Sequence, residues 1–241
     1  MKYEDLRLYT YSNDALINGE IKGIVVQFTG LGGTRMIDED TDEGRFYAEK
    51  NIIYVFPYIN PWSWMNSAAV KLTDSVIDCL FEHYELPENT PVISIGGSMG
   101  GQCALVYCYY AKRTPAACAA NCPVCDLPYH YTERPDLPRT MLSAFGEYDI
   151  PLDVAIKTAS PLHLADDMPD IPYYIVHCEA DEAVNKQMHS DRLVEALSEE
   201  HRVIYKSVPE RGHCDLTPEA LDEYRGFIVA QCEKSSASEQ A

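Results

Sequence analysis

Basic residues are scarce in this sequence: 19 lysines and arginines stand against 38 aspartates and glutamates, and the formal net charge is −19. Such a surface repels phosphate backbones and anionic lipid headgroups, so nucleic acid and membrane partners are disfavoured. Polyanionic substrates are disfavoured for the same reason. A soluble surface explains this charge better than a role in steering a substrate does.

Membrane and export signals are also lacking. No apolar run approaches the roughly 18 residues that a membrane-spanning helix needs. The N-terminal segment MKYEDLRLYTYSND carries acidic residues where a signal peptide needs an apolar stretch. The nine cysteines are an odd number, and several lie inside apolar patterns, as small buried residues do in a reducing compartment. These features predict a cytoplasmic protein without a disulfide framework.

Short β-rich runs alternate with helical patterns along the chain. Most of the runs are apolar on both faces, which is typical of central strands in a parallel sheet covered by helices. This alternation, in 241 residues that are 46% hydrophobic, predicts one α/β domain over residues 1–241 with a mostly parallel central sheet. The predicted strands are residues 21–28, 51–56, 91–96, 115–122, 171–178 and 201–208, and the predicted helices are 66–84, 100–112, 186–200 and 217–233.

Two segments break this alternation. Residues 123–170 are rich in proline, aspartate and tyrosine, with one helical pattern around 139–158, and are too long for a simple connection. We interpret them as a small cap insertion over the site, with an ordinary decorated connection as the alternative. Residues 234–241 are small and polar without apolar periodicity, and they predict a flexible tail.

The stretch SIGGSMGG, residues 94–101, surrounds Ser98 with glycines. Residues 96–100 fit the G-x-S-x-G pattern of a nucleophile turn, in which a strained serine stands between a strand and a helix. A strand pattern precedes this serine and a helical pattern follows it. A glycine-rich turn or a phosphate-binding loop is the alternative, but a Walker lysine and the G-x-G-x-x-G spacing are both missing. Ser98 is therefore the candidate nucleophile.

A serine hydroxyl becomes a good nucleophile only when a base removes its proton and an acid orients that base. Among seven histidines, His213 follows the last predicted strand, in the loop segment VPERGHCDL before the final helix. Asp181 follows the preceding strand, at the end of IPYYIVHCEAD, and Glu182 is the second choice for the acid. The chain order Ser98, Asp181, His213, with each residue placed after a strand, predicts a catalytic triad.

An oxyanion hole must accompany such a triad. Its first N–H should come from Met99, the residue after the nucleophile, and its second from the loop after an early central strand. That loop reads TGLGG, and its glycines let the backbone approach a substrate closely, so Leu31 is the candidate second donor. A glycine turn that merely leads into a helix is the alternative.

These motifs resemble the α/β-hydrolase superfamily over essentially the whole chain, and within it the small serine esterases and the catalytic domains of prolyl-oligopeptidase-like (S9-type) peptidases. The matching segments are GGSMGG, SPLHLADDMPDIPYYIVHCEAD and RGHCD. The resemblance implies Ser98 as nucleophile, Asp181 as acid and His213 as base. Thr29 replaces the histidine usual in the family's oxyanion loop. The N-terminus enters the core almost directly, without a β-propeller, and this favours an esterase.

Two further motifs lie near predicted strand ends. Tyr58, Trp62 and Trp64, around INPWSWMNS, are candidates for the walls of a substrate pocket, or else fill the core or anchor the cap. Cys122 and Cys125 form a CxxC motif without a second cysteine pair or a Cys/His set at ligand spacing. We therefore expect a structural role for this pair, at the floor of the site or in the connection to the cap, with no metal site and no cofactor.

The sequence thus predicts a serine hydrolase that cleaves carboxylic esters through an acyl-enzyme. The expected partner is a small-molecule ester or a short peptide, and the oligomeric state stays open, with a homodimer among the alternatives. A serine peptidase acting on short peptides is the second hypothesis. A catalytically inactive binding module with the same fold is the third.

Overall fold

The computed structural model describes residues 1–197 and 201–237. Its strands are β1 (Thr10–Ser12), β2 (Gly23–Phe28), β3 (Ile52–Pro57), β4 (Val92–Gly97), β5 (Ala117–Asn121), β6 (Tyr173–Cys178) and β7 (Val203–Val208). They form one seven-stranded sheet in the order β1-β3-β2-β4-β5-β6-β7. All neighbours pair in parallel except β1, which is antiparallel to β3.

Helices cover both faces of this sheet. They are α1 (Asp42–Ala48), α2 (Ser67–His83), α3 (Met99–Tyr110), α4 (Leu127–Glu133), α5 (Leu137–Phe145), α6 (Leu152–Ala155), α7 (Pro161–Leu164), α8 (Arg192–Leu197) and α9 (Pro218–Ala237). Buried side chains of α2, α3 and α5 form one hydrophobic core with the sheet. Those of α1 and α9 form a second core on the opposite face. Within the described residues, no helix is both long enough and apolar enough to span a bilayer.

The predicted mostly parallel α/β architecture is confirmed, and each of the six predicted strands matches a strand of the sheet. Outside residues 123–170, one strand and one α-helix were not predicted. The strand, β1, is only three residues long, and the helix, α1, lies in a strongly polar stretch. The helix predicted over 186–200 begins as a π-helical turn, Gln187–Asp191, and continues as α8, while residues 198–200 lie outside the described residues.

The segment 123–170 holds four short helices, α4 to α7, instead of the one helix predicted around 139–158. α5 ends where Gly146 follows Phe145, and Pro151 then begins a new turn ahead of α6. Leu137, Met141 and Phe145 are buried in the core that α2 and α3 share. Much of the segment therefore packs against the domain, and a role as a cap over the site stays a prediction.

At the other end of the chain, α9 extends to Ala237. Residues 234–237, which were predicted as part of a flexible tail, are therefore helical in their backbone. Residues 238–241 lie outside the described residues, so the rest of that prediction stays a prediction.

Candidate active site

Ser98 stands in a sharp turn between β4 and α3. Its backbone has φ 60° and ψ −127°, a conformation that costs a non-glycine residue on the order of 1–3 kcal/mol. α3 begins at the next residue, Met99, so the positive end of the helix lies directly behind the serine. The strained backbone and the helix start are the features that the glycine-flanked serine predicts.

The glycines around Ser98 are required by close backbone packing. A Cβ on Gly96 would lie 2.2 Å from the Gly100 carbonyl oxygen, and a Cβ on Gly100 would lie 2.3 Å from the Phe28 carbonyl oxygen. Ordinary contacts of such atoms begin at 3.4 Å. The missing side chains thus let the first turn of α3 rest against the ends of β4 and β2.

Asp181 lies in the loop after β6, with a fully buried side chain. Its Oδ1 accepts the backbone N–H groups of Ala183 (2.8 Å) and Val184 (2.9 Å). Its Oδ2 lies 2.6 Å from His213 Nδ1 and 3.3 Å from His177 Nε2. Burial alone would raise the pKa of Asp181, but the hydrogen bonds from His177 and His213 outweigh it and hold this pKa well below its usual range.

His213 follows β7 and donates its Nδ1–H to Asp181. Burial would lower the pKa of His213, but the hydrogen bond with Asp181 outweighs it and raises this pKa to about 9. Nε2 is left facing away from the carboxylate. In the described part of the chain Ser98 Oγ makes no hydrogen bond to His213, but both residues line one cavity. Hydrogen bonds of this kind are often long before a substrate binds.

The two residues predicted to supply the oxyanion hole both line the same cavity as Ser98. Leu31 lies in the loop after β2, and Met99 is the first residue of α3. Among the described residues neither N–H donates to another protein group. The adjacent Gly32, with φ 76°, donates its N–H to the Pro61 carbonyl instead, and this bond holds the loop in place.

The shared cavity has a volume of about 570 Å³. One part of its wall is apolar, formed by Phe28, Leu31, Phe56, Trp64, Val124 and Val184. The other part is polar and includes Gln27, His130 and Arg134. The α4 region of the segment 123–170 thus supplies both His130 and Arg134 to this cavity.

Of the three aromatic residues predicted to form the pocket, only Trp64 lines this cavity. Tyr58 and Trp62 line a separate cavity of about 230 Å³, so a role for them in substrate binding stays a prediction. Two successive turns carry the chain from Asn60 to Asn66 and direct Trp64, with φ 43°, into the core. Its Nε1–H donates to Thr140 Oγ1 (2.9 Å), whereas Trp62 stays partly exposed.

Two residues beside Asp181 and His213, namely His177 and Cys214, were not predicted to belong to the site. His177 is fully buried, and its Nδ1 lies 2.6 Å from Ser190 Oγ. Its Nε2–H donates to the Val184 carbonyl (3.1 Å) and lies 3.3 Å from Asp181 Oδ2. Cys122 and Cys214 lie against His213, and Cys214 Sγ is 3.8 Å from its Nε2. Cys122 and Cys214 are 92 residues apart and meet because β5, β6 and β7 are neighbours in the sheet.

A polar network forms the floor of the cavity near α4. Glu133 Oε2 accepts hydrogen bonds from His130 Nδ1 (2.5 Å) and His189 Nε2 (3.0 Å). Burial would raise the pKa of Glu133, but these two hydrogen bonds outweigh it and lower this pKa to about 2. His130 is therefore held with its Nε2 as an acceptor beside the cavity.

No protein-family model matches this sequence, and neither does any curated protein. Solved structures do match. Puromycin hydrolase superposes with a TM-score of 0.71 at 18% identity, over 90% of this chain and 34% of that one. S-formylglutathione hydrolase from Agrobacterium tumefaciens superposes with a TM-score of 0.66 at 15% identity, over 89% of this chain and 85% of that one. Such peptidases and esterases are α/β-hydrolase superfamily members. This chain has the α/β-hydrolase fold.

The α/β-hydrolase likeness extends to small esterases along nearly their full length. Est1E from Butyrivibrio proteoclasticus superposes with a TM-score of 0.61 at 15% identity, over 93% of this chain and 94% of that one. By contrast, the chain spans only about a third of the length of puromycin hydrolase. The resemblance that the sequence motifs predict is therefore confirmed at the level of the fold.

Proposed function

We propose that this protein is a serine hydrolase that cleaves carboxylic esters. The observation that carries the proposal is that Ser98, in a strained turn, shares a cavity with a histidine that Asp181 holds at 2.6 Å. A strained serine, an oriented imidazole and a buried carboxylate on three different loops are the parts that acyl transfer needs.

The reaction follows from these positions. His213 Nε2 takes the hydroxyl proton of Ser98, and Oγ attacks the ester carbonyl carbon. Asp181 keeps the Nδ1 proton of His213 in place and stabilises the imidazolium that forms. The imidazolium then gives its proton to the departing alcohol, which leaves an acyl group on Ser98. A water molecule, deprotonated by the same histidine, attacks the acyl carbonyl and releases the acid.

In this mechanism the N–H groups of Leu31 and Met99 stabilise the negative charge that develops on the carbonyl oxygen. Two observations support this role: both residues line the cavity, and neither N–H has a protein acceptor among the described residues. Removing one such donor typically raises the barrier by about 2.7–4 kcal/mol. Since Thr29 does not alter either backbone donor, its presence in the loop is compatible with this role.

The cavity favours the ester hypothesis, because it is partly apolar and has room for a small acyl or aryl group. The peptidase hypothesis remains the alternative, and a cytoplasmic location stays part of the proposal.

A fluorophosphonate probe tests the mechanism directly, because it reacts only with an activated serine. We expect labelling of the folded wild-type protein at Ser98, located by mass spectrometry of the labelled peptide. Ser98→Ala should lose both labelling and hydrolysis of p-nitrophenyl acyl esters, while Ser75→Ala, a serine on α2, should behave like the wild type. Hydrolysis that survives Ser98→Ala refutes the mechanism.

The same preparation separates the competing functions. A p-nitrophenyl ester series of increasing chain length should be hydrolysed faster than aminoacyl-prolyl amides. Faster cleavage of the amides would establish the peptidase instead. A folded protein that neither labels nor hydrolyses either substrate would be a binding module.

A further inference from the structure

Two cysteines and the histidine of the site meet behind the cavity. Cys122 follows β5, and His213 and Cys214 follow β7. The two sulfur atoms and one ring nitrogen of His213 lie within 4.8 Å of one another. This set of two thiols and one imidazole has the donor types that bind Zn²⁺ in proteins.

The spacing of these atoms suits one ion. With Zn–S near 2.3 Å and Zn–N near 2.0–2.1 Å, tetrahedral coordination places sulfur and nitrogen about 3.6 Å apart and two sulfurs about 3.8 Å apart. Cys214 Sγ is 3.8 Å from His213 Nε2. Small side-chain adjustments therefore suffice to bring all three donors to bonding distance.

The surroundings orient each donor. Asp181 accepts the Nδ1 proton of His213 at 2.6 Å, so the lone pair of Nε2 is directed towards the thiols. A carboxylate behind the ring is the usual support of a zinc-bound histidine. Cys122 Sγ accepts backbone N–H groups from Cys178 (3.3 Å) and Cys214 (3.4 Å). The neighbouring thiol of Cys214 and burial raise the pKa of Cys122, so a metal ion must displace its proton, and the two N–H groups offset part of that cost.

Space for the second thiol is also provided. A Cβ on Gly97 would lie 3.2 Å from Cys214 Sγ, so glycine at this position leaves room for the sulfur. His213 and Cys214 both line the cavity of Ser98. An ion can therefore enter from the cavity, and a water molecule from the same side can complete its coordination.

Hydrogen bonding argues against the other two candidate clusters in the described part of the chain. His189 accepts N–H groups from Cys125 and Asp126 at Nδ1, so its Nε2, beside Glu133, carries a proton and offers no lone pair. His177 likewise accepts from Ser190 at Nδ1 and carries its proton on Nε2. In the remaining cluster the Nδ1 proton of His213 is donated to Asp181, so Nε2 is the nitrogen that lies beside the thiols, and any proton that it carries is released when a metal ion binds.

We propose that Cys122, Cys214 and His213 bind one thiophilic divalent ion, with Zn²⁺ as the reference ion, and that this ion inhibits the enzyme reversibly. On binding, each thiol releases its proton to water and each thiolate donates an electron pair to the metal, as does Nε2. No electron is transferred. The ion then occupies the lone pair with which His213 would take the Ser98 proton. The inhibition rests on the proposed function, whereas the binding does not.

Metal binding is tested first, without any activity assay. Protein kept reduced by a phosphine is titrated with Co²⁺ at about pH 8, and the cobalt is then displaced by Zn²⁺. We expect one equivalent, with the thiolate-to-cobalt absorption and the visible bands of tetrahedral cobalt. Removing a residue that only hydrogen-bonds to a metal ligand typically lowers metal affinity by about 10–100-fold. Removing a ligand itself, in Cys122→Ser or Cys214→Ser, should therefore lower cobalt affinity by at least about tenfold.

Cys125→Ser is the matched control, because Cys125 is a buried cysteine of the same CxxC motif that does not belong to the cluster. It should bind cobalt like the wild type. The site is overturned if the wild type binds no cobalt, or if Cys122→Ser and Cys214→Ser bind it as tightly as the wild type does. Circular dichroism spectra show which variants are folded. Stoichiometric cobalt binding by Cys125→Ser shows that loss of a buried thiol does not by itself abolish the site.

Inhibition is tested second, with each variant compared with itself before and after Zn²⁺ is added. Wild-type and Cys125→Ser esterase activity should fall and recover with a chelator. Cys214→Ser should need at least about tenfold more Zn²⁺ for half inhibition. Equal inhibition of Cys214→Ser overturns the inhibitory role. If the wild type hydrolyses no ester, the proposed function fails, and the cobalt titration still decides the metal site.

Discussion

Gly100→Ala should lower both the stability and the activity of this protein. The new Cβ would lie 2.3 Å from the Phe28 carbonyl oxygen and 2.9 Å from its carbon, and both atoms belong to the backbone of β2. The gap is about 1 Å too small for a carbon atom, so α3 and the end of β2 must separate by a similar distance. No rotation of a side chain can relieve this contact.

The size of the effect follows from that displacement. Overpacking in a close-packed interior typically costs about 1–3 kcal/mol. In a domain of this length each kcal/mol corresponds to about 2–4 °C in Tm. Phe28 leads into the Leu31 loop, and Gly100 lies in the first turn behind Ser98, so the same movement separates the two proposed oxyanion donors, Leu31 and Met99. A misplacement of about 1 Å can cost about 10²-fold in rate.

Thermal and urea unfolding, together with kcat/KM for a p-nitrophenyl ester, measure both effects. Gly226→Ala is the matched control, because Gly226 is exposed on α9 and an added Cβ there meets nothing within 4 Å. That substitution should raise the free energy of unfolding by about 0.8–1 kcal/mol through helix propensity and leave kcat/KM unchanged. The reasoning about the turn is refuted if Gly100→Ala unfolds at the wild-type midpoint with wild-type kcat/KM.

Three further predictions concern ionisable groups. Asp181 raises the pKa of His213 to about 9, and His213 must be neutral to act as the base. The kcat/KM value should therefore rise with pH through an apparent pKa above 6.5. A midpoint of this rise at or below 6.5 contradicts the prediction. Asp181→Asn should lower kcat by about 10⁴-fold, because the amide favours the wrong tautomer of His213. Single-turnover kinetics on a folded variant measure this loss. A loss below tenfold refutes the role of Asp181 in orienting His213. The pKa of Glu133 is lowered to about 2 in the folded protein. The ionised Glu133 therefore contributes fully to the free energy of unfolding above its unfolded pKa of about 4.3, and this contribution fades as the pH falls towards about 2. The difference in urea midpoint between wild type and Glu133→Gln should therefore be largest above pH 5 and shrink in acid, and a difference that is independent of pH would count against the network.

Much of the fold could be predicted because its signals are local. Each central strand is a short apolar run, and the glycines around Ser98 mark a turn that the structure confirms as strained. β1 escaped prediction because Thr10–Ser12 is short and mostly polar; its burial comes from pairing with β3. Trp62 and Trp64 are two residues apart, and only the turn geometry between them decides that one faces the core.

The parts of the site that escaped prediction join distant segments. Cys214 and Cys122 are 92 residues apart, and they meet because β5, β6 and β7 are neighbours in the sheet. The expectation of no metal site rested on cysteine and histidine spacing along the chain, which is blind to such a meeting. His130 likewise lines the cavity through α4, where Glu133 holds its ring, and the place of this helix depends on tertiary packing.

Hydrogen bonds hold both oxygens of the Asp181 carboxylate. Two backbone N–H groups donate to Oδ1, His213 donates to Oδ2, and His177 Nε2 lies 3.3 Å from Oδ2. If the ring of His213 swings away, the two backbone donors still orient the carboxylate. We therefore expect Asp181 to keep its place when His213 moves, and an added Cβ on Gly212, beside His213, would meet nothing within 4 Å.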